Sequence, residues 1–455
     1  RLALYTWHIH REELNEYIHY NDFNKLMNTV ENLEGEINYR LGKTQVAQQT
    51  LRRLDTSISS FFKAIKKWKE NPAKFSGRPN FPKYLRKKGY TQMTFTNQSI
   101  SIKEREDGSG YILIDRHHTL DIPNYSEYKH LFKNFNQIRF IPSKNCEYIK
   151  VEIVYTVDDE LYHNTELDYS RFASCDLGLV NLMTIVTDFC EPIIFSGKEV
   201  KSYNNCFNKY LAKAKSDVKL INKHNSSNRI RNLYHKRDNY LNDIFQKTTT
   251  ALVQLLIDNH IGNFTVGYNK EWKQNQKKDK KLKKKTRQQF QHVPYAKLLH
   301  MLKYKCERAG IIFKEVNESH TSKCDALAFE EIGHHDNYLG KRVKRGLYKS
   351  STGQVINADV NGALNIMRRS INDSSYQQSV IKKTLIHRPV RIKNLPKLSV
   401  QKLYKTLGMK KKVFPESGES DRGYSELFLR AQHRDCSSKD ESTTMGCIKP
   451  GVLCG

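Results

Sequence analysis

Two aspartates stand at positions where a pair of carboxylates could carry out chemistry. Asp176 follows an apolar, strand-like run at residues 172–175 and precedes a turn at Gly178. Asp359 stands at the start of a helix-like segment, residues 360–369. Alone, an Asp at a strand end is usually a turn former, and an Asp at a helix start is usually a cap. Held together by one domain, the two could bind Mg²⁺, because hard cations prefer carboxylate oxygens and water.

The segments around these aspartates predict the elements that would position them. We expect strands and a hairpin at residues 170–195, a helical stretch at 200–260, strands at 264–266 and 311–313, and a helix at 296–308. This order of strands and helices is typical of an α/β domain.

The rest of the chain has a different character. Residues 1–70 are predicted to be helical, and from Val46 to Trp68 the apolar positions recur at mostly three- and four-residue steps. Prolines interrupt residues 71–85, and residues 91–155 contain short β-rich runs separated by turn residues. Residues 371–455 are polar and weakly patterned, and we expect the stretch from Glu416 onward to be disordered.

The charge balance predicts a polyanionic partner. The chain has 77 Lys and Arg against 48 Asp and Glu, a formal net charge of +29. That excess repels itself unless a partner such as nucleic acid compensates it. The 25 Tyr and 20 Phe are interleaved with the basic residues, so bases could stack on rings while phosphates contact Lys and Arg.

Several classes of protein are disfavoured. The nine cysteines are scattered and include no C-x-x-C pair, which argues against a disulfide framework. No apolar run approaches the ~20 residues that span a bilayer, and no signal peptide is visible. We therefore expect no membrane partner and a cytoplasmic, nucleoid-associated protein of a prokaryote.

Five short segments, in matching order and spacing, resemble motifs of the TnpB family of transposon-encoded, RNA-guided nucleases. They are residues 175–181 (CDLGLVN), 197–204 (GKEVKSYN), 266–270 (VGYNK), 321–324 (TSKC) and 357–366 (NADVNGALNI). The first and the last resemble the first and third motifs of the family's RuvC domain. Residues 77–84 (GRPNFPKY) fit the family's segment before its β-barrel, and the resemblance covers roughly residues 40–395.

The resemblance implies an α/β RNase H-like (RuvC) nuclease domain, an N-terminal lobe of a β-barrel with a helical insert, and a disordered C-terminal tail. The expected bounds are 1–85 for a helical recognition region, 86–168 for the wedge-like β-barrel, 169–395 for the nuclease domain with a basic insert at 318–356, and 396–455 for the polar tail. Because the chain begins at Arg1, we expect the first region to be truncated at its N terminus.

The resemblance also implies cleavage of DNA by two Mg²⁺ ions, or Mn²⁺, about 4 Å apart. Asp176 and Asp359 match two of the family's three metal-binding carboxylates. The second motif normally supplies a Glu where this chain has Gly267, and some relatives with the same GYNK segment carry a relocated Glu on the neighbouring strand. Glu318 is the candidate third catalytic and metal-binding residue. The alternatives are Glu315 and Glu271.

A second departure concerns zinc. Typical relatives hold two C-x-x-C pairs between the second and third motifs, a signature of a structural zinc site. Only Cys324 remains here, followed by His334 and His335, so we expect no zinc. The basic segment at residues 340–348 and the Lys-rich run at 277–285 are expected to contact DNA or guide RNA. The residues assigned to nucleic-acid contact are Arg52, Arg53, Arg78, Lys83, Lys201, Lys270, Trp272, Lys273, Lys341, Arg342 and Arg345.

The sequence therefore predicts an RNA-guided, Mg²⁺-dependent DNA endonuclease encoded by a transposon, with a guide RNA and double-stranded DNA as partners. Three alternatives stay open. With Gly267, the protein could be a catalytically inactive, RNA-guided DNA-binding protein. It could be a transposase that joins strands through the same acids. The gene could also be decaying, since Arg1 stands in place of Met and Gln246 stands where relatives often have His. The oligomeric state is left open.

Overall fold

The computed structural model describes residues 1–15, 17–85, 89–143, 148–156, 166–222, 226–269, 284–384, 386, 388–409 and 429–432. The chain divides into two compact units. Unit 1 comprises Arg1–Val157 with Glu426–Gly455, and unit 2 comprises Asp158–Ser425.

Unit 1 opens with three helices, in the region predicted to be helical. They are α1 (Leu2–Leu14), α2 (Tyr20–Met27) and α3 (Thr44–Glu70). On α3 the buried residues Leu51 and Ile58 are seven positions apart, which places them on one face of the helix. They pack with Trp7 and Phe23 in a small core of their own. The prolines end the helical region, and only a short 3₁₀ turn follows at Pro72–Lys74.

The strands of unit 1 form two antiparallel sheets over one core. They are β1 (Met93–Thr96), β2 (Ser101–Glu104), β3 (Gly110–Leu113), β4 (Thr119–Ile122), β5 (Phe135–Pro142), β6 (Tyr148–Tyr155) and, from the C-terminal segment, β16 (Leu429–Gln432). One sheet has the order β1-β5-β6-β16 and the other β2-β3-β4. A short helix, α4 (Tyr125–Tyr128), and a 3₁₀ turn (Lys129–Phe132) lie between β4 and β5. Where the sequence predicts a β-barrel at 86–168, the described residues show two sheets sharing a core around Phe95, Ile112 and Ile138.

Unit 2 is built on a six-stranded mixed sheet. Its strands are β7 (Asp168–Leu177), β8 (Asn181–Val186), β9 (Ile193–Ser196), β10 (Ile261–Gly267), β11 (Ile312–Val316) and β15 (Val390–Ile392), in the spatial order β11-β10-β7-β8-β9-β15. β10 runs parallel to both β7 and β11, whereas β8 is antiparallel to β7 and β9. Strands β8, β9 and β10 are buried along their whole length, and they enclose polar residues such as Thr184 and Asn263 as well as apolar ones. A separate antiparallel sheet consists of β12 (Lys341–Lys344), β13 (Leu347–Lys349) and β14 (Val355–Asn357).

Helices cover the six-stranded sheet and complete the α/β unit. They are α5 (Lys198–Asn222), α6 (Asn228–Asp258), α7 (Lys284–Gln291), α8 (Tyr295–Arg308), α9 (Ala358–Ser370), α10 (Ser374–Lys383) and α11 (Val400–Leu407). Alternate residues of β7 enter different cores: Ala173 and Cys175 pack with α6 and α8, and Phe172 packs with α9. In the part of the chain that the structure describes, no helix is long and apolar enough to cross a membrane.

The structure corrects the predicted start of the disordered tail at residue 396. Helix α11 lies inside that region, and its Leu403 and Tyr404 are buried in the main core of unit 2. The Tyr404 hydroxyl donates a hydrogen bond to the carboxylate of Asp258, 2.5 Å away. This helix is not evident from the sequence, because its surroundings are polar and its eight residues are too few for a clear periodic pattern.

Candidate active site

The pleat of β7 places Asp176 under helix α9. Ser174, two residues earlier on the same face, donates a hydrogen bond from its hydroxyl to the carbonyl of Ala363, 2.7 Å away. Asp176 lies beside the next part of that helix: a Cβ added to Gly362 would stand 3.1 Å from Asp176 Oδ2. The glycine of the third motif therefore makes room for the carboxylate of the first.

Asp359 is held at the N-terminus of α9 by its neighbours. Asn357 caps the helix, and its Oδ1 accepts hydrogen bonds from the backbone N–H groups of Asp359 and Val360. The Asn181 side chain, at the start of β8, donates to Asp359 Oδ2 at 2.5 Å. Arg342 on β12 approaches Asp359 Oδ1 to 3.5 Å. The helix end also favours a negative charge at this position, because its backbone N–H groups carry partial positive charge.

The two carboxylates interact electrostatically. Burial, and then the negative charge of Asp359, raise the pKa of Asp176 to about 8, and the positive charge of Arg342 offsets part of this effect. Two like charges in one partly desolvated site are costly unless a proton or a cation compensates them. A bound cation near the two carboxylates would lower this cost.

Gly267 and Glu318 meet beside this pair. In β10, Val266 lies opposite Cys175 of β7, and continuing the register by one residue brings Gly267 level with Asp176. A Cβ added to Gly267 would lie 3.3 Å from the Cβ of Glu318 and would collide with the side chain of Ile366 on α9. The side chain of Glu318 therefore begins close to where a side chain at position 267 would begin. Glu318 lies two residues after Val316, which is the β11 partner of Gly267.

Glu315, the first alternative to Glu318, lies on the face of the sheet opposite Asp176. Glu315 is the β11 partner of Val266, and Val266 belongs to the core on the face opposite α9. Directly paired residues of adjacent strands share a face, so Glu315 is directed away from Asp176. The second alternative, Glu271, lies outside the described residues.

Tyr295, at the start of α8, is buried and lies within electrostatic range of both Glu318 and Asp176. Burial, and then the charges of Glu318 and Asp176, raise its pKa far above the ordinary value for a tyrosine. Its hydroxyl donates a hydrogen bond to the carbonyl of Gly178, 2.9 Å away, in the turn after Asp176. Tyr295 therefore connects α8 to the segment that carries the first carboxylate.

The residues fit a divalent cation in charge and type, although their present arrangement is not a finished ligand set. Within the described ranges, no group of three or more His, Cys, Asp and Glu side chains is already arranged to hold a metal ion. One oxygen of Asp359 faces Arg342 and the other accepts from Asn181. A cation would offset the burial and the repulsion that together raise the pKa of Asp176, because Mg²⁺ binds through carboxylate oxygens.

Three residues near the site have no role in the sequence-based prediction. Asn181 belongs to the first motif segment, so the sequence indicates that it matters. The sequence does not indicate its contact with Asp359. Arg391 on β15 donates a hydrogen bond to Asn181 Oδ1 at 2.8 Å and so fixes the orientation of the amide. Tyr295 and Arg391 carry no signal in the sequence, because both reach the site through tertiary contacts.

The basic residues assigned to nucleic acid lie in both units. In unit 1, Arg78 and Lys83 are exposed, Arg52 lies over the ring of Tyr20, and Arg53 donates to the carbonyl of Gln92. In unit 2, three exposed residues belong to the β12–β13 hairpin, and Lys201 on α5 is half-buried. The hairpin residues are Lys341, Arg342 and Arg345. Lys270, Trp272, Lys273 and most of the Lys-rich run lie outside the described residues.

In comparisons with known proteins, two segments of the chain match family models. Residues 152–273 match the family described as probable transposase (OrfB_IS605), and this segment contains Asp176 and Gly267. Residues 295–366 match the Cas12f1-like TNB domain, and this segment contains Glu318 and Asp359. No curated protein matches the chain.

Solved structures support the overall fold. The structure titled "Cryo-EM structure of the Cas12f1-sgRNA-target DNA complex" aligns with a TM-score of 0.53 and 12% identity, over 80% of this chain and 78% of that chain. A second, titled "Cryo-EM structure of CRISPR-Cas12f Ternary Complex", has a TM-score of 0.36 and 13% identity, over 82% of this chain and 79% of that chain. At these identities the likeness concerns the fold, and we rest no argument on the second.

Proposed function

We propose that this chain, which is a TnpB-like protein, is an RNA-guided, Mg²⁺-dependent DNA endonuclease encoded by a transposon. Its catalytic carboxylates would be Asp176, Glu318 and Asp359. The observation that carries the proposal is the position of the Glu318 Cβ, 3.3 Å from where a Cβ at Gly267 would lie. Glu318 would thereby replace the carboxylate missing from the second motif, from the segment that follows the neighbouring strand β11.

The order of the strands supports a RuvC-like, RNase H-like site. In β9-β8-β7-β10-β11, only β8 is antiparallel to its neighbours, which is the arrangement of an RNase H-like sheet. Asp176 stands near the carboxyl end of the central strand β7, where ligands of α/β sheets are commonly bound.

Each residue has a defined task in this proposal. Bound Mg²⁺ would supply an activated water and stabilise the leaving oxygen of the phosphodiester. Asp176, Glu318 and Asp359 would bind the metal, with Arg342 moving from Asp359 toward a phosphate. Asn181 would keep one oxygen of Asp359 fixed, since partners of a metal ligand orient it.

The proposed partners are a guide RNA and double-stranded target DNA. The net charge of +29 favours long polyanions. The solved structure similar in fold is, by its title, a complex of Cas12f1 with sgRNA and target DNA. We assign the residues Arg78, Lys83, Lys341 and Arg345 to phosphate contacts, because they are positively charged and exposed.

Two other functions have a specific observation in their favour. The absence of a side chain at Gly267 favours a catalytically inactive, RNA-guided DNA-binding protein. The description of the matched family as probable transposase favours an enzyme that joins strands through the same acids. Both alternatives keep the nucleic-acid partners and differ only in the products formed.

The test is to purify the full chain from cells that also express its flanking DNA, and to sequence the RNA that co-purifies. The loaded protein is then mixed with a plasmid that matches the guide, with Mg²⁺ or with EDTA. We expect linear product with Mg²⁺ only, and none from Asp176→Ala loaded with equal RNA. Bound RNA without cutting by the wild type would support the inactive binder, joined products would support the transposase, and no bound RNA would refute the proposal.

A further inference from the structure

The insert between Glu318 and Asp359 keeps only one of the thiols that a zinc ribbon needs. Cys324 is the single cysteine between residues 307 and 435. It is buried, its Sγ lies 3.6 Å from the carbonyl of Gly333, and burial raises the pKa of the thiol. A structural zinc needs four ligands, and its cysteines must be thiolates. The residues present therefore do not fit this metal.

A buried carboxylate stands next to that cysteine. Asp325 is completely buried, and both of its oxygens accept several hydrogen bonds. Oδ1 accepts from the backbone N–H groups of Leu327 and Ala328, at 3.2 and 3.3 Å. Oδ2 accepts from the hydroxyls of Ser350 and Ser351 and from the N–H of Ser351, at 2.8, 3.0 and 2.7 Å. Asp325 thus ties the start of the insert to the turn between β13 and β14.

Glu330 ties together a second pair of segments. Its Oε2 accepts from the N–H of Asp325 at 2.6 Å, and its Oε1 accepts from the N–H of Leu339 at 2.9 Å. The hydroxyl of the buried Tyr348 donates to the carbonyl of Lys323, 2.8 Å away. Three separated stretches of the insert are therefore connected by charge-assisted or buried hydrogen bonds, which are stronger than those at the surface.

Two asparagines of α9, the helix that carries Asp359, form hydrogen bonds to the same network. The Asn361 amide donates to the carbonyl of Cys324 at 2.8 Å and accepts from the N–H of Ala326 at 3.1 Å. The Asn365 amide donates to the carbonyls of Thr321 and Cys324, both at 2.8 Å. The segment that begins with Glu318 is thereby fixed to α9 through its backbone.

We propose that the insert of this chain folds without zinc, and that Asp325 and Glu330 cross-link the segments that zinc ligands join in relatives. The oxygens of Asp325 are occupied by five donors, so no metal is needed to satisfy them. A consequence, which rests on the proposed function, is that this network positions Glu318 relative to Asp359. Asp325 is in that sense a positioning residue and not a metal ligand.

The first part of the test is independent of any nuclease activity. The full chain, purified without chelators from zinc-supplemented cells, is analysed for metals, and its Tm is measured before and after treatment with a strong zinc chelator. We expect well below one zinc per chain and an unchanged Tm. One zinc per chain, with a Tm that falls on chelation, would overturn the proposal.

The second part uses a substitution that preserves shape. Asp325→Asn replaces an acceptor oxygen by an amide that faces the same N–H and O–H donors, and we expect the Tm to fall by roughly 5–10 °C. Asp336→Asn, at an exposed acid of the same insert, is the matched control and should leave the Tm unchanged. An unchanged Tm for Asp325→Asn would contradict the network. Below its Tm, the Asp325→Asn protein should bind RNA normally and should cut DNA more slowly than the wild type. A wild type that never cuts DNA would refute only the proposed function.

Discussion

Replacing Asp176 by Asn should stabilise the metal-free protein, although it removes a proposed catalytic group. The pKa of Asp176 is raised to about 8 from 3.8, by burial first and by Asp359 second. Such a group is at its most stabilising below its unfolded pKa, and that contribution is lost as the pH rises through the folded pKa. The window for this loss runs from about pH 4 to pH 8.

The magnitude follows from the same shift. A change from 3.8 to about 8 corresponds to roughly 6 kcal/mol at high pH, since a tenfold change in proton affinity is worth ~1.4 kcal/mol. Asp176 is only half-buried, so solvent screens part of this energy and we expect about 2–3 kcal/mol at an effective interior dielectric. For a unit of this size that is a Tm increase of about 5 °C.

The assay is thermal unfolding of wild type and Asp176→Asn in EDTA, from about pH 4.5 to pH 8.5. The variant should match the wild type at the acid end and exceed it increasingly toward the alkaline end. Mg²⁺ should raise the Tm of the wild type and not that of the variant. Asp336→Asn, which removes an exposed acid, is the control. A constant difference across pH, or a variant less stable than wild type at the alkaline end, would refute the reasoning.

Three further predictions concern the surroundings of the site. Gly267→Ala should destabilise the protein by about 1–3 kcal/mol through overpacking. Adding Ile366→Val should recover part of the lost Tm, because it removes Cδ1, the atom that the added Cβ meets most closely, and leaves Cγ1. If the double variant is no better, the collision is not the cause. Tyr295→Phe should lower the free energy of unfolding by about 1 kcal/mol, because it removes the hydrogen bond to the turn after Asp176. Chemical denaturation measures this loss, and an unaltered midpoint would refute the prediction. Asn181→Ala should weaken Mg²⁺ binding about tenfold in calorimetric titration, because Asp359 loses a fixed partner, and unchanged affinity would assign Asn181 a purely structural role.

The elements that carry the two aspartates could be predicted from local patterns. The strand before Asp176 and the helix after Asp359 were expected at 172–175 and 360–369 and occur at Asp168–Leu177 and Ala358–Ser370. Both signals are strong because buried strands are continuous apolar runs and helices have a fixed period. Their juxtaposition depended on the resemblance, since no local pattern encodes a contact over such a distance in sequence.

Other parts of the site could not be predicted from local patterns. The relation between Asn181 and Arg391 arises because β8 and β15 are both neighbours of β9 in the sheet, a fact of topology that composition does not contain. The helix at Val400–Leu407 was missed because eight residues give too little periodicity. Asp325 reads as an ordinary turn residue in the sequence, and its role depends on five donors brought from two separate turns.

The most direct test of the central claim compares two glutamates that stand three residues apart. Glu318→Gln and Glu315→Gln are loaded with equal amounts of the co-purifying RNA, and their rates of Mg²⁺-dependent cleavage of a matched plasmid are measured beside the wild type. The Cβ of Glu318 lies beside Gly267, which the strand register brings level with Asp176, whereas Glu315 pairs with Val266 on the other face of the sheet. We expect Glu318→Gln to cut at least about 100-fold more slowly, as for loss of a group that acts in the transition state, and Glu315→Gln to cut like the wild type. Normal cleavage by Glu318→Gln would contradict the account.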